Sequence, residues 1–157
     1  MKIAEQLARH FREIHFGPNW TSSNLKETLA NVGWVQATTK LEDFNTIAAL
    51  VFHINYFVKA VIPVLEGGPL DAHDKFSFDV PPIHSEAEWQ KMLTQVWADA
   101  EKLENLIANI SDNLLWETFS EEKYDTYYRN IQGVIEHSHY HLGQIVILKK
   151  LIYNQTN

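Results

Sequence analysis

The 157-residue sequence predicts an all-α fold, a bundle of four long helices with one or two short ones. The clearest sign is residues 122–153, which hold no proline and only two glycines. Ile131, Val134, Ile135, Leu142, Ile145, Val146 and Ile152 recur there at helical rather than strand spacing. A second stripe runs through Trp89, Met92, Leu93, Val96, Trp97, Ala100, Leu103, Leu106 and Ile107. A third stretch, between Ile47 and Val61, is apolar nearly all round and reads as a buried helix. A hydrophobic content of 45% with five tryptophans supplies a core for one folded unit. No repeat, low-complexity run or linker divides the chain, so residues 1–157 read as a single domain.

Taken in order, Ile3, Leu7, Phe11 and Ile14 give residues 2–16 a helical period, and Gly17-Pro18 stops it. Thr21-Ser22-Ser23-Asn24 offers N-caps for a short helix from Leu25 to about Gly33. Residues 34–42 read as loop, because polar groups dominate and no period persists. The second long helix is expected over residues 43–65, with Pro63 kinking or ending it and Gly67-Gly68-Pro69 closing it. Residues 70–83, with Pro81-Pro82, form a connection long enough to cover an end of the bundle. Ser85 followed by Glu88 is a start signal for a helix running to about Ile110. A short turn follows around Leu114-Leu115-Trp116, and Ser120 is the expected cap of the last helix, starting near Glu122.

Charge and composition exclude several functions. The net charge is −7, and the 13 lysines and arginines are scattered, so nucleic acid is not the expected partner. No run of about 18 consecutive apolar residues predicts a membrane span. The amino end lacks the apolar core of a secretion signal, which makes a cytoplasmic location the expectation. Cysteine is absent, so disulfides, thiolate metal sites and a cysteine nucleophile are excluded. Any metal must be held by nitrogen and oxygen.

The candidate ligands are histidines. His137 and His141 lie about 40° apart on consecutive helical turns and can reach one cation, whereas His139 turns about 200° away from His137. Such pairs also arise by chance on helix surfaces. This pair borders the apolar stripe, however, and inward-facing imidazoles without partners cost free energy. His53 sits in the middle of the apolar second helix. Its plain reading is a core histidine bonded to a neighbour; the sharper one makes it a third ligand, favoured because another helix already offers two inward imidazoles. Three neutral ligands leave coordination positions open and the ion's full charge in place, which lowers the pKa of bound water towards ~7 or activates a substrate's thiolate or hydroxyl. Ser138 stands where helical zinc proteases carry glutamate, and Glu136 turns about 100° from His137, so no general base is identified. Gln144 shares the face of His137 and His141 and is a candidate partner for a ligand or bound water. Gly133, one turn before His137, opens room, and Tyr56 is a candidate wall residue. The loop histidines His73 and His84 read as solvated.

His53 together with His137-Ser138-His139-Tyr140-His141-Leu142-Gly143-Gln144-Ile145 resembles the DinB-like family of metal-binding four-helix proteins, also called the damage-inducible or bacillithiol-transferase-like superfamily. The likeness extends to Gly17-Pro18-Asn19-Trp20-Thr21-Ser22 and to the helix order, so it covers essentially the whole chain. It implies an antiparallel four-helix bundle, homodimerisation, and one divalent metal ion, zinc or nickel, on His53, His137 and His141. A departure is Leu142, where many relatives carry an arginine able to contact an anion. Related members transfer or isomerise with low-molecular-weight thiols. The function expected is therefore a metal-dependent transferase that activates a small thiol and conjugates it to a small-molecule electrophile. The alternatives are a metal-dependent hydrolase of an amide or ester, and a non-catalytic, stress-related metal- or ligand-binding protein. The five tryptophans read equally as core or as dimer surface.

Overall fold

A computed structural model describes residues 2–155, and among these the regular structure is helical apart from one isolated bridge between Thr118 and Thr126. The helices are α1 (Ile3–Phe16), α2 (Leu25–Leu29), α3 (Trp34–Thr38), α4 (Ile47–Leu65), α5 (Glu86–Asn109) and α6 (Tyr127–Gln155). Single 3-10 turns occupy Asp74–Phe76, Leu114–Trp116 and Glu122–Tyr124. The four long helices close a ring of contacts: α1 packs on α5, α5 on α4, α4 on α6 and α6 on α1. One core fills the ring, drawing on Phe11 and Ile14 of α1, Leu50 and Ile54 of α4, Trp89 and Leu103 of α5, and Ile131 and Ile145 of α6. Trp89 is fully buried, and its indole N–H donates to the Val32 carbonyl at 2.7 Å, so its polar atom is satisfied. Trp20 and Trp116 are exposed, which separates them from the core.

Local chemistry accounts for most boundaries. Gly17 ends α1 at φ +67°, a conformation that favours glycine, and a Cβ there would fall 2.6 Å from Asn24 Nδ2, which would have to shift. Asn24 caps α2 by accepting the Glu27 N–H, and Ser85 caps α5 by accepting that of Glu88, as expected. Pro63 is tolerated inside the last turn of α4.

Three boundaries differ from expectation. Residues 34–38 are helical, not loop: the Trp34 N–H donates at 2.9 Å to Glu86, whose carboxylate caps α3 from the start of α5. α4 begins at Ile47, because the Thr46 hydroxyl accepts the Ala49 N–H at 3.1 Å and sets the cap there. α6 begins at Tyr127 rather than near Glu122. Tyr127 N–H donates to the Glu117 carbonyl and Phe119 N–H to the Asp125 carbonyl, holding the preceding residues in a loop, and Thr126 rather than Ser120 accepts the first-turn N–H of Arg129. By length and composition α4 alone among the described helices is apolar enough to cross a membrane, although most of that stretch is buried here against its neighbours.

His15 of α1 is fully buried, with its Nδ1–H donating to the Phe11 carbonyl at 3.0 Å and its Nε2 without a partner. Burial, the largest influence, pushes its pKa down from 6.5 to about 4. The folded state therefore refuses a proton that the unfolded chain accepts. Neutral His15 contributes stability that is complete above about pH 6.5 and is lost as the pH falls from there towards about 4, on the order of 3 kcal/mol in all. Replacing His15 with leucine is expected to flatten the fall in urea midpoint of the metal-free protein between pH 7 and 4.5 by about one proton's worth. A profile parallel to that of the wild type would contradict the assignment.

Candidate metal centre

α4 and α6 lie side by side, and their contact brings together the three histidines that the sequence singles out. His53 projects from the middle of α4, and His137 and His141 from successive turns of α6. One ligand nitrogen from each lies within 4.8 Å of the other two. His53 Nε2 and His137 Nε2 are 3.0 Å apart, and the three ring centroids are separated by 4.8, 4.8 and 4.5 Å. With metal–nitrogen bonds of about 2.0–2.1 Å, two neighbouring ligands of one ion sit roughly 3 Å apart, which is the spacing of the His53 and His137 nitrogens. The three histidines lie close enough to bind one metal ion.

The outer nitrogens fix two of the rings. His53 Nδ1–H donates to the Ser77 carbonyl at 3.2 Å, and His141 Nδ1–H donates to Gln144 Oε1 at 2.7 Å. A carbonyl oxygen can only accept, so both rings must carry their proton on Nδ1 and turn a bare Nε2 inward. This outer support of metal-facing histidines is what orients such ligands. His137 lacks it: its Nδ1 is buried without a partner. The Phe78 ring stacks on His53 at 3.8 Å and 11°, while Phe57 makes T-shaped contacts with His53 and with His137. Burial lowers the pKa of His53, and burial followed by the charges of His141 and His53 lowers that of His137 to about 4. Both are held neutral at pH 7, the form that binds a metal.

His137 also faces a cavity of about 940 Å³. Phe57 and Val134 give it an apolar side; Lys75, Lys123 and Arg129 give it positive charge, and Asp74 and Asp125 negative charge. Gly133 lines this cavity, and a Cβ there would meet only Arg129 Nη1 at 3.5 Å, so the space beside His137 is open. Tyr56 takes a different position: its hydroxyl donates to the His73 carbonyl and accepts the His73 N–H, and it lines a separate cavity between α4 and α5. His139 is half-buried, with burial and then the neighbouring charge of His10 lowering its pKa, and stands outside the cluster. His73 and His84 are exposed, and Glu136 is a surface acid 3.3 Å from Arg129. Leu142 is buried and contributes to the core.

Sequence reasoning missed Phe57, Ser77, Phe78 and Arg129. Phe57 is one turn beyond His53, a spacing that was open to notice; Ser77 and Phe78 lie in a connection without any period. No known protein family, curated protein or solved structure matches this chain.

Substituting any of His53, His137 or His141 with alanine is expected to abolish stoichiometric metal binding in protein purified without a histidine tag. Gln144→Ala removes only the outer partner of His141 and is expected to weaken affinity by about 10–100-fold while keeping one ion per chain at saturation. Elemental analysis and chelator competition read both, and a Gln144 variant of unchanged affinity would rule out the positioning role.

Proposed function

We propose that this chain is a metal-dependent enzyme with an antiparallel, DinB-like four-helix bundle, carrying zinc or nickel on His53, His137 and His141. Its reaction in this reading transfers a low-molecular-weight thiol to a small electrophile. The observation that carries it is the convergence of three imidazoles beside an open, partly cationic cavity. A divalent ion held there would supply Lewis acidity that favours thiolate over thiol at neutral pH.

The chain's own residues do the remaining work. Ser77 and Gln144 hold the tautomers of His53 and His141, and Phe57 and Phe78 screen the His53 ring from water. Gly133 leaves room for a reactant beside His137, and Arg129, Lys75 and Lys123 favour a substrate with an anionic group. The chain has no cysteine, so the sulfur nucleophile arrives with a cosubstrate. That sulfur gives its proton to solvent, forms the S–C bond and displaces the electrophile's leaving group. A homodimer belongs to the same reading, supported by Tyr140, Ile147 and Leu151, which are exposed on α6.

Hydrolysis of an amide or ester is the second reading, favoured by Asp74 and Asp125 on the cavity wall, where a carboxylate can take a proton from attacking water. Metal-loaded protein is expected to accelerate conjugation of bacillithiol, mycothiol or glutathione to an activated aryl halide, with loss of the acceleration on chelation and in His137→Ala. Mass spectrometry separates the readings: a thioether supports transfer, and label from heavy-oxygen water in a cleaved ester supports hydrolysis. Inertness in both assays would leave only a binding protein.

A further inference from the structure

The histidines lie between α4 and α6, but a second cavity of about 560 Å³ opens between α4 and α5, beneath Pro81 and Pro82 of the connecting segment. None of the three histidines lines it. Its size falls within the range of small-molecule sites, and its walls include Phe52, Ile83, Met92 and Val96.

The polar groups at this cavity divide into committed and free. Asp99 is buried and accepts one hydrogen bond from Asn55 Nδ2 and one from Gln95 Nε2, both at 2.8 Å, while the buried Asn55 Oδ1 has no partner. Glu88 is occupied by the His84 backbone N–H at 2.6 Å. The Asp71 side chain is 92% exposed and lies 4.0 Å from His73 Nε2. Lys59 of α4 and Lys91 of α5 make no hydrogen bond or ion pair among the described residues. An apolar chamber flanked by two uncommitted ammonium groups on facing helices is complementary to a molecule with one apolar and one anionic end.

We propose that this cavity binds an amphipathic monocarboxylate, with its aromatic or branched body against Phe52 and Met92 and its carboxylate between Lys59 and Lys91. Burial of the apolar body supplies the affinity, and the lysines set orientation and the preference for an anion. The site shares no ligand with the metal centre, so its test runs equally on metal-free and metal-loaded protein.

The experiment titrates the isotope-labelled full chain with naphthaleneacetate and with naphthaleneacetamide, its neutral counterpart of nearly equal shape. Expected are NMR shift changes at Phe52, Lys59, Lys91 and Met92, and an affinity for the carboxylate about tenfold above that for the amide. Lys59→Met and Lys91→Met, both at exposed positions, are expected to remove that margin, and Met92→Trp to block both compounds by filling the chamber. The proposal is overturned by equal affinities for the two compounds, by an unchanged margin in both lysine variants, or by the absence of shifts at these residues with millimolar probe. Shifts confined to Phe57 and Val134, which line the cavity of His137, would overturn it too.

Discussion

Desolvation of three imidazoles at one point constrains this chain more than any other contact. A buried ring nitrogen without a partner costs about 1–3 kcal/mol. The Nδ1 of His53 is satisfied only because the segment between α4 and α5 carries the Ser77 carbonyl across the helix, and that of His141 only because Gln144 is one turn further along. With those protons placed, the Nε2 lone pairs of His53 and His141 both face inward. Without a cation, the 3.0 Å approach of His137 Nε2 to His53 Nε2 requires His137 to donate its own proton, and its buried Nδ1 is then a lone pair with nothing to accept. A divalent ion would let all three rings turn a lone pair inward, leaving the buried Nδ1–H of His137 as the one polar atom of the cluster without a partner.

The connection at residues 66–85 is the second structural determinant. It makes no sheet and only one 3-10 turn, and it meets side chains in the middle of α4 by hydrogen bonds at two points: the Ser77 carbonyl on His53, and the His73 backbone on the Tyr56 hydroxyl. Those anchors lie on α4 within one turn of each other. Its Phe78 covers the His53 ring, while Ala72 borders both cavities and Pro81 and Pro82 roof the one between α4 and α5.

How far the sequence could be read depended on how local the physics is. The amphipathic stripes of α1, α5 and α6 and the caps Asn24 and Ser85 act within a few residues, and each is visible in the chain as written. The same holds for His137 and His141, whose spacing alone places them on one face. His53 was legible only by chemistry, as a costly imidazole in an apolar helix looking for partners. α3 was illegible because its N-terminus is capped by Glu86, 52 residues away, and no window of sequence contains both. The beginning of α6 failed for a related reason: the bonds from Tyr127 to Glu117 and from Phe119 to Asp125 pin a loop that helical propensity would have overrun.

The same distinction explains why ligands were easier to read than chemistry. A metal ligand announces itself by residue type and helical spacing, and two elements sufficed here. The cavity beside those ligands draws its walls from α4, the connection, the loop before α6 and α6 itself, so its character is a sum over segments far apart in sequence. Lys75, Lys123 and Arg129 look like scattered surface cations in the chain, and only folding places them around one opening with Asp74 and Asp125. The net charge of −7 is equally uninformative at that scale, because a substrate meets the few charges lining the cleft rather than the chain's sum. What such a cleft selects is decided by geometry that no periodicity encodes.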